Sequence, residues 1–579
     1  MNIRQIDEMI KATSEALLSK REEGKIWRGS LSSSAISTSV SVFALHEIDA
    51  KKYERQIAEG IAWLQQTMKA DGSWGDSIES PSNLTATLLT YASLFAVGVR
   101  SEKTQAYLKE RFGGETDEDI IQGVLDYYGT DLTFSVPILV MCALAGVISD
   151  WERIPPFPFE LAVLPQRLFR FLNLPVVSYA IPALIAVGIL RFKKGKRGLL
   201  APLRKRFIEP SLKVLVKLQP ADGGFLEAAP LTAFVSMCMA QAGYREHVVT
   251  QKAAQFLVDT VREDGAWPID TDLSGWVTSL SIRALDEDLP EREFFIENMK
   301  ARATKDVHPF TGAQPGGWGW SDLSGSVPDG DDTSGALVAY HVLTHGTYAP
   351  EVGKGIEWLL DLQNNDGGMP TFCKGWGKFP FDRSSADISA HAFLAFSLWK
   401  EALPPALKAR TEKGCKRLLA WMTAALSAEG SWTPLWFGDQ DAADEKSPVY
   451  GTATAVEYLL SASDSEAIAL ATKGLAYLRS VQNADGGWGG AKDVASKVTL
   501  TAKVLGAMAS SENPEEGAME RALGFLYEAY ERGTLFSREP IGLYFSRLWY
   551  SEALYSLTFV LAALKKVRNY LIKTNHTEQ

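Results

Sequence analysis

Cysteine is scarce in this chain of 579 residues: four occur, Cys142, Cys238, Cys373 and Cys415. None are spaced as Cys-x-x-Cys, which argues against a zinc ribbon and a disulfide framework and fits a reducing, cytosolic environment. Positive charge is not in excess: the net charge of −11 makes nucleic acid an unsuitable general partner. The first residues, MNIRQIDEMIKATSEALLSK, are charged and helix-like and lack the apolar centre of a signal peptide. The apolar run from Leu174 to Leu190 is short for a membrane span and is broken by Pro175 and Pro182. Strand-like alternation of polar and apolar residues is rare.

Aromatic residues are plentiful: 16 Trp, 18 Tyr and 26 Phe. They can fill a large core, or line a cavity with π-faces. A chain this long, 46% hydrophobic, supports two or more domains. One pattern recurs along it. An apolar stretch of helical period ends in a polar turn with glycine, then an aromatic. The copies are GIAWLQQTMKADGSW (Gly60 to Trp74), LKVLVKLQPADGGF (Leu212 to Phe225), AAQFLVDTVREDGAW (Ala253 to Trp267), KGIEWLLDLQNNDGGM (Lys354 to Met369), KGCKRLLAWMTAALSAEGSW (Lys413 to Trp432) and KGLAYLRSVQNADGGW (Lys473 to Trp488), with a weaker EGKIW closing at Trp27. Glycine supplies the backbone freedom of the turn, and the aromatic can fold back on the preceding helix. After each turn comes a second small, apolar segment, such as TLTAKVLGAMASS. The reading is all-α: helix–turn–helix units closing into α/α barrels, each an inner ring within an outer ring.

The segment QPGGWGWSDLSGSVPDGDDTSGALVAY holds Asp329, Asp331 and Asp332 within four residues. Crowded like charges raise at least one pKa, so a carboxylic acid can keep its proton near neutral pH. Pro328 ends any preceding helix, and Thr333 or Ser334 could cap the apolar helix that follows. An isolated run of this kind also reads as a solvated helix cap. A calcium loop is a weaker alternative, because the later bidentate Glu is absent.

The turn repeat resembles the QW repeat of triterpene cyclases, best at Lys354 and Lys473. The acidic run within PDGDDT, following GGWGW, resembles the acid motif of the squalene–hopene cyclase family. The resemblance covers nearly the whole chain, most strongly from Gly316 to Tyr450. It implies two α/α barrels with the active site between them: an inserted barrel over residues 22–276 with a membrane-facing segment, and a catalytic barrel over 277–579 joined by residues 1–21. It implies that Asp331 donates the proton that starts cyclisation, with Asp329 and Asp332 beside it. The stretch FDRSSADISAHAFLAF resembles the family's DVTAH segment and places Asp387 and His391. An imidazolium there would stabilise the carboxylate left after proton transfer.

The same resemblance supplies a wall for carbocations: Trp276, Trp320, Trp436, Tyr450, Tyr179, Phe372 and Tyr550. Val277 stands where the family has Asp, and Gly330 where it has a larger apolar residue. Phe372-Cys373 matches either an active-site tyrosine or a channel constriction. Arg547 falls on a family tyrosine, where a cation would oppose a late carbocation. No metal or cofactor is implied. The implied substrate is squalene or a similar linear isoprenoid; a diterpenoid, a meroterpenoid or a prenyl diphosphate is the alternative. A protein prenyltransferase subunit would need a zinc-binding Asp/Cys/His set, which does not appear, and a noncatalytic scaffold would leave the acid and His391 unexplained. The apolar run before a basic cluster (Arg191, Lys193, Lys194, Lys196, Arg197, Arg204, Lys205, Arg206) suits peripheral attachment to the cytoplasmic face of the cell membrane. A homodimer is compatible with this reading.

Overall fold

The computed structural model describes residues 3–129, 132–165, 180–196, 198–309, 312–371, 382–543 and 546–577. Nearly all regular structure is helical, and the helices form two α/α barrels. In the first, the described inner ring passes through Ala35–Asp49, Leu84–Ala96, Leu132–Leu144, Ile181–Lys194 and Ala229–Met239, and the last packs back on the first. In the second, Ser274–Leu285, Gly330–Thr344, Ala386–Trp399, Pro448–Ser461, Val498–Ala509 and Tyr555–Thr577 close in the same way. Ile3–Ser19 packs on Tyr555–Thr577, so the first helix belongs to the second ring's outer layer.

The sequence explains which helices lie inside. Inner helices carry small or apolar residues on all sides, as in LTATLLTYASLFA, and are buried nearly throughout. Outer helices show one apolar stripe; Arg292–Arg302 buries only Phe295 and Met299. The cores are correspondingly separate. One is built from residues between Ala35 and Trp267, the other from Ile6 to Trp27 together with Trp276 to Val567.

The recurring tryptophan is a staple. The indole N–H of Trp74 donates to Leu64 O at 2.7 Å, Trp267 to Leu257 O at 2.6 Å, Trp432 to Met422 O at 2.9 Å and Trp488 to Leu478 O at 2.7 Å. Each satisfies a carbonyl left over at the end of an outer helix. The tryptophan's own backbone N–H donates to a threonine of an inner helix: Thr87, Thr38, Thr452 and Thr501. Trp318 does the same, donating from its indole to Met299 O at 2.9 Å and from its backbone to Thr333. The sequence pattern did not flag it as a repeat, because its helix lies further upstream.

Among the described residues no helix is long and apolar enough to cross a membrane. The described part of the apolar run does not lie on the surface as expected. From Ile181 to Leu190 it is an inner helix with every residue buried. Much of the basic cluster is also engaged. Arg191 is buried and donates to Ile154 O, Lys193 donates to Ala242 O, and Arg204 pairs with Glu160. What does face outward is the segment after this helix. Leu199, Leu200 and Leu203 are 102%, 66% and 53% exposed, among the exposed Lys194, Lys196, Lys205 and Arg206.

Candidate active site

The acidic run opens the Gly330–Thr344 helix. Asp329 is its N-cap, in an extended conformation, accepting from the backbone N–H of Asp331 at 2.8 Å and of Asp332 at 2.9 Å. An ionisable carboxyl suits this position, where free N–H groups and the helix dipole meet. The cap is therefore Asp329, not Thr333 or Ser334. Thr333 is occupied with Trp318, and the Ser334 hydroxyl donates back to Gly330 O.

The three carboxyls fall into different surroundings. Asp329 and Asp332 are sealed, at 3% and 8% exposure. Burial pushes Asp329 up to about 7 and Asp332 well above the carboxylate range, and the neighbouring Asp329 adds to the latter. Burial thus outweighs the crowding that the sequence emphasised. Asp332 keeps a proton, which it shares with Asp329. Asp331 is the accessible one, with 24% of its side chain exposed.

Asp331 Oδ1 lies 2.6 Å from His391 Nδ1, and His391 itself is fully buried. On the other ring nitrogen, Nε2, stands Arg283 Nη1 at 3.1 Å. A guanidinium can only donate, so Nε2 accepts and Nδ1 carries the hydrogen, which it donates to Asp331. Burial lowers the imidazole pKa, against the opposing pull of Asp331. The ring is neutral, and the charge expected on it sits on Arg283 behind it. Tyr458 stacks on the imidazole at 4.3 Å between centroids, 14° from parallel, and Trp276 meets it edge-on at 6.1 Å. Gly335 makes room: an added Cβ would stand 3.3 Å from His391 Cε1 and 3.4 Å from a Trp276 ring carbon.

Asp387 lies one helical turn before His391 on the Ala386–Trp399 helix, buried and hydrogen-bonded by the Ser385 hydroxyl. Burial, then the charge of Asp331, raises its pKa to about 6. Trp276 and Trp320 are tied together, because Trp320 O accepts from the N–H of Gly275 at 2.6 Å and of Trp276 at 3.1 Å. Trp436 donates to the Thr371 hydroxyl at 2.7 Å, while Thr371 O accepts from Gly330 N at 2.7 Å, directly before Asp331. Gly330 has no space for a larger residue: a Cβ would lie 2.8 Å from Pro370 O. Tyr450 is buried against Phe437 at 4.6 Å. Tyr550 is half-buried in the second barrel's core. Tyr179, Phe372 and Cys373 lie outside the described residues. Arg547 is ion-paired with Glu445 and lies over the Tyr127 ring at 4.8 Å, so its charge is offset.

Trp320 packs with Val327 of its own barrel and with Ala180 and Leu226 of the first. Leu226 also lines an apolar cavity of about 220 Å³, formed by Ile36, Phe134, Phe234 and Ile269 of the first barrel with Leu548 from the C-terminal part of the chain. Trp320, tied to the Trp276 that meets His391, thus packs with a residue that also lines this hollow. Arg283, Tyr458, Ser385 and Thr371 were not picked out in sequence. Arg283 alone left a signal: a lone cation within SGWVTSLSIRAL, an otherwise uncharged inner helix.

The squalene–hopene cyclase C-terminal domain family matches residues 304–569, and the N-terminal domain family matches residues 10–109. The chain belongs to the squalene–hopene cyclase family. Its relatives include a terpene cyclase–glycosyl transferase fusion protein of Humicola fuscoatra, 25% identical over 82% of this chain and 42% of that one. Enfumafungin synthase of Hormonema carpetanum is 24% identical over 91% of this chain and 45% of its own. The chain therefore spans less than half the length of these two fungal relatives. A protein of Sinorhizobium fredii named "Probable squalene–hopene cyclase" is 24% identical over 97% of this chain and 96% of its own. Among solved structures, the ent-copalyl diphosphate synthase of Streptomyces platensis shares the fold, with a TM-score of 0.57 at 16% identity over 97% of this chain and 99% of that one.

Proposed function

We propose that this protein is a class II terpene cyclase that protonates a terminal carbon–carbon double bond of a linear isoprenoid, with Asp331 as the acid. The observation that carries this reading is the Asp331–His391–Arg283 line. Of the three clustered carboxyls, Asp331 alone accepts from His391 and is not sealed in the helix cap. Its Oδ1 takes the imidazole N–H, so its proton rides on Oδ2. Transfer of that proton to the alkene makes one C–H bond and leaves a carbocation on the neighbouring carbon. The Asp331 carboxylate that remains keeps the His391 hydrogen bond and gains from the Arg283 charge behind it. Successive double bonds then attack the cation, closing rings. The last cation ends by proton loss or water capture. Trp276, Trp320, Trp436 and Tyr450 offer π-faces, each contributing about 0.5–2 kcal/mol to a desolvated cation without trapping it. Squalene is the preferred substrate; a prenyl diphosphate, diterpenoid or meroterpenoid reacts by the same steps.

The test is to incubate purified protein with squalene and, separately, geranylgeranyl diphosphate, and to identify products by mass spectrometry. Asp331→Asn should melt like wild type and form no cyclic product. Turnover near the wild-type rate in that variant would refute the assignment.

We further propose that the protein attaches peripherally to anionic membranes through residues 198–206. The exposed Leu199, Leu200 and Leu203 beside Lys194, Lys196, Lys205 and Arg206 support this, since apolar surface and basic charge together favour such an interface. Replacing the three leucines by serine should strongly reduce sedimentation with phosphatidylserine vesicles. Unchanged sedimentation would move the contact elsewhere.

A further inference from the structure

A second cavity, of about 240 Å³, lies within the inner ring of the second barrel. Arg283, which holds the imidazole nitrogen not bonded to Asp331, lines it together with Glu457, Tyr458, Lys503, Phe559 and Lys566. These walls carry Arg283, Lys503 and Lys566 against one carboxylate; burial lowers the Lys503 pKa, and the Glu457 carboxylate opposes that shift. Burial pushes the Glu457 carboxyl up, but Lys566, Lys503 and Arg283 outweigh it and hold the group down at about 2, so it is ionised. The nearby His341 is kept neutral by burial and by His345.

Lys566 is satisfied, with Glu457 Oε1 at 2.6 Å and the Ser510 hydroxyl at 3.0 Å. Lys503 is not. It is only 7% exposed, and its ammonium has no hydrogen-bond acceptor among the described residues. Its neighbours are two aromatic faces, Phe559 at 4.6 Å and Tyr450 at 5.1 Å. Ring faces offset part of the desolvation cost of an ammonium, but they accept few of its hydrogen bonds. The last turns of four inner helices also line the cavity, at Arg283, Val342, Leu398 and Ser461, and their dipoles set partial negative charge near the cations, but no carbonyl among the described residues accepts from Lys503. A buried amino group without an acceptor, on a wall it shares with Arg283 and Lys566, matches an anionic ligand, which would also favour its protonated form.

We propose that this cavity is a binding site for a small anion of the carboxylate or phosphate class, held by Lys503 with Arg283 and Lys566 on the wall. If Asp331 is the acid, as argued above, the anion also acts on turnover. It cancels positive charge that favours the Asp331 carboxylate, and so slows proton donation.

Binding is tested apart from activity. Full-length protein is titrated with sodium acetate and with sodium phosphate at constant ionic strength, and Tm is followed. Wild type should show a saturable rise with at least one of them, half-complete on the order of millimolar, as a single weak site implies. Lys503→Met should lose the rise, while Lys194→Met, an exposed charge change, should keep it. No saturable rise in wild type, or the same rise in Lys503→Met, overturns the site. Because Lys503→Met could misfold, wild-type crystals soaked in sodium bromide give a second readout. An anomalous peak beside Lys503 supports the site, and peaks confined to the surface overturn it. In the same buffers cyclisation should fall with the binding curve. Binding without that fall retains the site and removes only its link to the acid.

Discussion

At the scale of single residues, the acid is defined by what its neighbours cannot do. Arg283 cannot accept a hydrogen bond, so it fixes the tautomer of His391, and that tautomer fixes which oxygen of Asp331 is free. Arg283→Met removes this constraint. Nδ1 then carries hydrogen only part of the time, and the charge behind the ring is gone. We expect kcat to fall roughly 10- to 100-fold, the loss of one charge-assisted hydrogen bond of about 1.5–3 kcal/mol, with KM little changed. The positive charge of Arg283 also lowers the His391 pKa, so the imidazole should titrate higher in the variant. Steady-state kinetics and NMR titration of His391 check both. An equal fall in melting temperature would point to packing, while Arg283→Lys should restore part of the rate without restoring the two-ended geometry. Gly330 and Gly335 belong to this scale too. One lets the helix start press against Pro370, the other lets His391 and Trp276 close on the helix.

At the scale of elements, the tryptophan staple decides how outer helices end and inner helices begin. Trp488 is fully buried, donates to Leu478 O, and has its own N–H on Thr501. The turn before it needs glycine: Gly486 has φ 89°, and a Cβ there would lie 2.5 Å from Arg521 O. Trp488→Phe keeps most of the apolar surface but strands the Leu478 carbonyl. It should cost roughly 1–3 kcal/mol of stability, the usual cost of a buried polar group left unpaired. Chemical denaturation measures this, and activity at a permissive temperature should be near wild type. The Met369 copy shows that one turn can do without the indole. Its backbone N–H is still held, by the Ser389 hydroxyl at 2.9 Å.

At the scale of the whole molecule, several carboxyls are buried with raised pKa values. Burial takes Asp387 to about 6, Asp329 and Glu552 to about 7 and Glu227 to about 8. Each binds its proton more tightly in the folded chain. Its stabilising contribution is whole below about pH 4, the unfolded range, and is lost as pH rises through the folded value. Stability should therefore decline from about pH 5 to pH 8. Glu457, held at about 2, works in the other direction, since its contribution is lost as pH falls through that value. His391, lowered by burial, adds a loss below about pH 6.5. Melting temperature should peak in mildly acidic buffer. Glu227→Gln should flatten the alkaline decline between about pH 7 and 8, because that carboxyl no longer ionises. A Tm that rises steadily to pH 9 would contradict this.

The sequence by itself determined the all-α class and the repeated helix–turn–helix unit, and its resemblance to family motifs singled out Asp331, Asp387 and His391. These are local facts: helical period, a glycine that frees a turn, and short motifs whose residues lie within one helical turn of each other. Tertiary structure decided the rest, because it depends on partners far apart in the chain. Arg283 reaches His391 across 108 positions, and Tyr458 reaches Arg283 across 175. No local pattern announces such a meeting. Burial is also collective. It is why the pKa values of Asp332 and Asp329 are raised when crowding looked like the cause, and why Ile181 to Leu190 is core when composition read it as a membrane face. An apolar helix is the same string of letters in either place. Only the ring of neighbours around it sets whether its apolar surface meets protein or lipid.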